Sequence, residues 1–141
     1  MKLLSTIVFT LIIISSLQAQ SILGTWTTVD DATGEHKSMI EIYENAGKVY
    51  GKLVHITRES SKNDLCTKCK NEDKNKPLLG LVIIKDLTEG KNCLENGTIT
   101  DPENGKTYRA KLWLDENNPD VLNVRGYVAF FYRTQQWLRV K

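Results

Sequence analysis

Beyond residue 20 the chain is built from short runs in which apolar and polar residues alternate, separated by compact turn clusters. Alternation is clearest late in the chain. Tyr108, Ala110, Leu112 and Leu114 share one phase, and Thr107, Arg109, Lys111 and Trp113 share the other. Leu122, Val124, Gly126 and Val128 likewise oppose Asn123, Arg125 and Tyr127. A period of two sends successive side chains to opposite faces, so each segment reads as a strand with one buried face. Candidate strands lie at about 24–29, 37–43, 48–56, 79–86, 93–100, 106–114, 121–130 and 133–140. Within them, Leu81-Val82-Ile83-Ile84 is continuously apolar, as expected of a strand covered on both sides or of a short buried helix.

The turn clusters include Asp30 to Gly34, Glu44 to Gly47, Thr88 to Lys91, Asn96-Gly97, Asp101 to Gly105 and Asp115 to Asp120. Each combines residues that tolerate turn conformations with a glycine or proline that interrupts regular structure. No long window shows an amphipathic helical period. Several short strands with tight connections and no helical crossover predict an all-β fold. A single antiparallel up-and-down barrel of about eight strands is favoured, because closure removes exposed sheet edges. A sandwich is the alternative. One connection stands out: residues 57–76 are rich in lysine, asparagine and aspartate and carry Cys66 and Cys69. Connections of that length tend to be functional or flexible.

The first twenty residues follow a different rule. Lys2 precedes an apolar run from Leu3 to Ile14, followed by Ser15-Ser16-Leu17-Gln18-Ala19-Gln20. This is the pattern of a secretory signal peptide over residues 1–19 with cleavage after Ala19, which leaves residues 20–141 as one domain. The apolar run is shorter than the roughly 20 residues a membrane span needs, and no later segment reaches that length. The expected location is therefore periplasmic or secreted, with no transmembrane segment in the mature chain.

Composition narrows the function classes. The 141 residues are 40% hydrophobic and 26% charged, a globular balance. Removing Lys2 and no acid takes the formal net charge from +2 to +1. That is no electrostatic footprint for nucleic acid.

Candidate chemistry is sparse. Cys66-Thr67-Lys68-Cys69 is compatible with a redox pair, half a zinc site or a local disulfide. A redox pair wants a helix N-terminus, and zinc wants four ligands, whereas His36 and His55 fall in other strands. The disulfide is favoured in an exported protein, with Cys93 left as a buried thiol. The carboxylates of Asp30-Asp31 and of Asp101-Pro102-Glu103 read as turn-formers rather than as a glycosidase pair. Asn96-Gly97-Thr98 fits a glycosylation sequon and equally a tight turn. No nucleophile–base arrangement emerges, so no catalytic residue, cofactor or metal is assigned and the reading leans away from an enzyme. Trp113, Arg125, Tyr127, Tyr132 and Trp137 are binding candidates, with Trp26 and Tyr108 as further aromatic candidates. Strand phase alone does not say which of them face inward.

Taken in order, these segments resemble known families. Gly24-Thr25-Trp26 resembles the Gly-x-Trp signature of the calycin barrels, the lipocalins and their relatives. That resemblance implies that Trp26 closes one barrel end, with Arg139 or Arg133 from the last strand packed across it. Trp26 with Asp30 to Gly34, Lys37-Ser38, Gly47 to Lys52, Cys66 and Cys69, Lys76 to Leu81, Asp101 to Tyr108, Val124 to Tyr127, and Arg133 to Trp137 with Arg139 resembles the bacterial family catalogued as domain of unknown function 2147. The resemblance implies an exported calycin-like barrel without an assigned activity. Cys93 departs from the family, whose members often carry tryptophan there. Two functions are then expected to compete: binding a small apolar or amphipathic ligand at one barrel end, or contacting an envelope protein through the lysine-rich loop.

Overall fold

A computed structural model describes residues 21–141; the expected signal peptide lies outside the described residues. Eight strands run in order: β1 (Gly24–Val29), β2 (His36–Asn45), β3 (Lys48–Ile56), β4 (Val82–Gly90), β5 (Cys93–Asp101), β6 (Lys106–Leu114), β7 (Val121–Val128) and β8 (Phe131–Arg139). Each pairs antiparallel with the next, and β8 returns to β1, closing a barrel. The up-and-down barrel is therefore the architecture, and the sandwich is not. The closing seam is short: only Trp26 with Arg139 and Thr27 with Leu138 pair across it.

Period-two alternation sorts the side chains by face. Leu112 pairs Val124, which pairs Gln135, and Leu122 pairs Trp137; these rows face inward. Trp26, Ile40, Ile84, Leu87, Leu112 and Leu122 are fully buried. An apolar inside and a polar outside is the reverse of a membrane-spanning barrel, whose lipid-facing wall must be apolar.

The interior is filled by complementary sizes. Gly126 sits against the Tyr108 side chain, whose Cβ lies 3.3 Å from where a Gly126 Cβ would stand, with Ile99 beside it. Gly51 makes room for Ile84 in the same way. Trp26 and Trp137 occupy the volume toward the opposite end, each with its indole N–H satisfied: Trp26 donates to the Ile22 carbonyl at 2.8 Å, and Trp137 to Gln135 Oε1 at 3.2 Å. Buried indole donors need such partners.

Three local features differ from the sequence reading. The strand expected at 79–86 begins at Val82 and continues to Gly90, so Thr88 and Glu89 are strand and the turn shrinks to Lys91-Asn92. Asn96-Gly97 is not a turn. It lies inside β5, where Asn96 has φ +63° and the register with β6 shifts between Leu94 and Gly97, which defines a bulge. The Lys85 carbonyl and the Leu87 amide of β4 approach there so closely that only glycine fits. Finally, β7 ends at Val128, which leaves Ala129-Phe130 as a two-residue hairpin turn. Three of the four residues of the apolar quartet are strand: Ile84 and Ile83 are both buried, on opposite faces of β4, and Leu81, also buried, precedes the strand.

Residues 57–81 are not a free loop. Cys66 and Cys69 form a disulfide, are nearly inaccessible, and belong to the main apolar cluster. Two single-turn 3₁₀ segments, Glu59–Ser61 and Asn71–Asp73, and a bridge between Leu65 and Pro77 fold the connection back on itself. Lys68 packs on Gly105 in the β5–β6 turn. Asp73 reaches Lys85 of β4 at 2.8 Å, and that lysine bond, reinforced by Lys76, holds the Asp73 carboxyl below the usual carboxylate range.

Candidate binding face

A meander barrel alternates its connections between two ends. The amino terminus, the β6–β7 connection and the carboxyl terminus meet at one end. There the Arg139 guanidinium lies 4.3 Å over the Trp26 ring, a cation–π contact. The same group donates to the carbonyls of Ser21 at 3.1 Å and Pro119 at 3.0 Å, and Arg139 Nε lies 3.2 Å from an Asp120 oxygen. That last approach is an ion pair by distance but not by angle, since Nε is buried without a hydrogen-bond acceptor. Lys141, and then Arg139, lower the Asp120 pKa. Arg133 belongs to the opposite end, where it pairs with Asp31. Of the two closure candidates, Arg139 is the residue stacked on Trp26.

The ligand candidates divide between the two sides of the wall. Trp26 and Trp137 are buried inside, and Tyr108 stands on the same side, its hydroxyl accepting from Asn104 Nδ2 at 3.2 Å. Trp113, Arg125 and Tyr127 point outward. Tyr132 joins the outward group, so the seven candidates do not line one pocket. Two depressions lie outside the barrel. One of about 420 Å³ is bordered by Ser21, Leu23, Asp120, Arg139 and Lys141. The other, of about 410 Å³, lies between the Tyr43 and Tyr50 rings and the Asp73–Lys85 contact.

Strand register makes the outward group a small lattice. Arg109 pairs Tyr127, which pairs Tyr132; Lys111 pairs Arg125, which pairs Thr134; Trp113 pairs Asn123, which pairs Gln136. Three cations and three aromatic rings thus share nine adjacent positions that contain no carboxylate. The Arg125 guanidinium sits 4.0 Å from the Tyr132 ring centroid and 4.8 Å from that of Trp113, while its Nε donates to Thr134 Oγ1 at 2.8 Å. Arg109 lies 5.5 Å from the Tyr127 ring and Lys111 5.8 Å from Trp113. None of these three cations has a carboxylate within salt-bridge distance among the described residues. Rings hold the cations in place without neutralising them, leaving full positive charge for an incoming anion.

Above this lattice stands the β7–β8 turn. Phe130 is 99% exposed, Phe131 77% and Tyr132 62%, with Val128 also exposed. The alternating pattern extends a strand through residue 130 and so conceals this apolar tip; its signal is Ala129-Phe130 standing where a two-residue turn prefers asparagine and glycine.

Barrel closure, the Trp26–Arg139 plug and the apolar interior define a calycin-like barrel protein. Protein HP1028 of Helicobacter pylori, described as belonging to the lipocalin family, shares the fold with a TM-score of 0.73 and 22% identity over 87% of this chain and 85% of that one. The chain belongs to the family described as uncharacterised protein conserved in bacteria, DUF2147, whose model matches residues 24–139. No curated protein matches the chain.

Proposed function

We infer that this is an exported binding protein that holds an acidic amphipathic small molecule against the outer face of β6–β8. The observation that carries this reading is the carboxylate-free lattice of Arg109, Lys111 and Arg125 with Trp113, Tyr127 and Tyr132. An anionic head group would meet the cations, and its apolar part the exposed rings and the turn above them. Inside the barrel, Trp26, Trp137, Ile40 and Leu122 fill the plugged end, and Tyr108 lies beside Gly126 toward the other, so the outward face carries the reading. Recruitment of an envelope protein through residues 57–76 draws less support, since Cys66 and Cys69 are buried and Asp73 is engaged with Lys85.

Isothermal titration with decanoate, below its micelle concentration, tests the assignment. Losing one charge-assisted contact costs about 1.5–3 kcal/mol, so Arg125→Gln should weaken decanoate binding roughly 10- to 100-fold. Decanol should bind more weakly than decanoate to the unaltered protein. Equal decanoate affinity for the protein and the Arg125→Gln variant would refute the assignment.

A further inference from the structure

We propose that the β7–β8 hairpin docks the protein onto a lipid surface with anionic headgroups, inserting Phe130 and Phe131 at the interface. The proposal rests on the binding face just described and names the assembled form in which its amphiphile is met.

The hairpin tip contradicts the local rules of a barrel in water. A two-residue turn between antiparallel strands prefers Asn-Gly or a close equivalent, because positive φ is required there. Here Ala129 takes φ +48°, followed by a phenylalanine whose surface is almost wholly exposed. The side chains of Phe130, Phe131 and Tyr132 add little to the core, which is already closed by Trp137, Val124 and Leu122 further down the same strands. The other two-residue turns conform better: Ala46-Gly47 and Lys91-Asn92 each supply a glycine or asparagine at positive φ. A contiguous run from Val128 to Tyr132 with that exposure marks an interaction surface.

Charge then selects the occupant. Below the tip lie Arg109, Lys111 and Arg125, free of carboxylate partners among the described residues, whereas Arg133 at the same end is paired with Asp31. A shallow apolar insertion gives only marginal, reversible membrane affinity, and stable attachment needs a second, electrostatic signal. Each basic side chain near an anionic leaflet strengthens partitioning several-fold. An apolar apex above a basic collar matches a bilayer in depth order: rings at the acyl boundary, cations among the phosphates. A second copy of the chain would bring the same cations face to face, which like-charge repulsion disfavours.

The test is vesicle flotation of purified protein whose mass shows residues 1–19 removed. Vesicles of phosphatidylglycerol and phosphatidylcholine should carry the protein, and pure phosphatidylcholine vesicles should not. Phe130→Ser/Phe131→Ser, whose positions are too exposed to affect folding, should reduce partitioning roughly 100-fold, in line with the burial of two large apolar side chains. Raising salt from 50 to 500 mM should also release the protein, because screening shortens to a few ångströms. No binding to anionic vesicles, or equal binding by the double-serine variant, overturns the proposal. So does a dimer in gel filtration that the double-serine variant converts to monomer, which would assign the tip to a second copy. Decanoate titration separates the two readings: decanoate binding without vesicle binding retains the small-ligand site and refutes docking, and the converse retains docking alone.

Discussion

Replacing Arg139 by methionine should open the plugged end of the barrel, and its cost is readable from four contacts. Arg139 stacks on Trp26 at 4.3 Å with its side chain 17% exposed. A partly desolvated cation–π pair of this kind contributes about 1–2 kcal/mol. Its bonds to the Ser21 and Pro119 carbonyls would each be stronger if dry, but both acceptors reach water, so they contribute about 0.5 kcal/mol apiece. The Asp120 pair adds little at a surface site. Methionine keeps part of the alkyl packing over the indole. The net loss is about 2 kcal/mol, which at a typical urea dependence near 2 kcal/mol per molar lowers the unfolding midpoint by about 1 M. Urea titration followed by tryptophan fluorescence reads this directly, because Trp26 and Trp137 are buried. Arg139→Lys should fall between, since an ammonium keeps the charge but cannot reproduce the flat stack and forked donation. A methionine variant within 0.3 M of the unaltered protein would refute the assignment of Arg139 as the plug. A lysine variant equal to the unaltered protein would show that charge alone matters there.

Two further perturbations probe the connection over residues 57–81. Asp73 has a lowered pKa in the fold, so its contribution is present above the ordinary carboxylate range and is lost as pH falls through it. Asp73→Asn should therefore cost about 1 kcal/mol at pH 7 and progressively less as pH falls below the ordinary carboxylate range, measured by urea titration at each pH; a cost independent of pH would be inconsistent with the Lys85 bond. Gly105→Ala places a Cβ at φ +73° against the Lys68 backbone. It should destabilise by about 1–3 kcal/mol and speed tryptic cleavage within residues 62–76, and unchanged cleavage would dissociate the β5–β6 turn from that connection.

Much of the barrel was legible because one principle governs it. Inward and outward positions alternate without interruption along β6 and β7, so Leu112, Val124 and their neighbours are recognisable as strand from composition alone. The bulge at Asn96 was not, because asparagine before glycine has the same preference for positive φ in a bulge as in a turn. The extension of β4 past Asp86 was hidden similarly, that residue taking φ +61° within a strand. For the candidate site, residue types were legible and their side of the wall was not. Trp137 and Trp113 occur in equally alternating strands, and only register with neighbours and closure put one inside and the other out. Arg139 could be nominated with Arg133 for the plug, but choosing between them needed the seam, where β8 meets β1 only at its last residues. Phe130 escaped because an apolar residue after a valine-rich strand extends the strand pattern, and its exposure arises only from where β7 stops.

The sharpest test of an outward-facing site uses the three indole N–H signals in a ¹⁵N–¹H spectrum during decanoate addition. Trp113 lies beside Arg125 on the binding face, whereas the Trp26 and Trp137 donors are held inside by Ile22 and Gln135. The Trp113 signal should move progressively while the other two stay fixed. Movement of Trp26 or Trp137 with Trp113 unchanged would place the ligand inside the barrel and contradict the account.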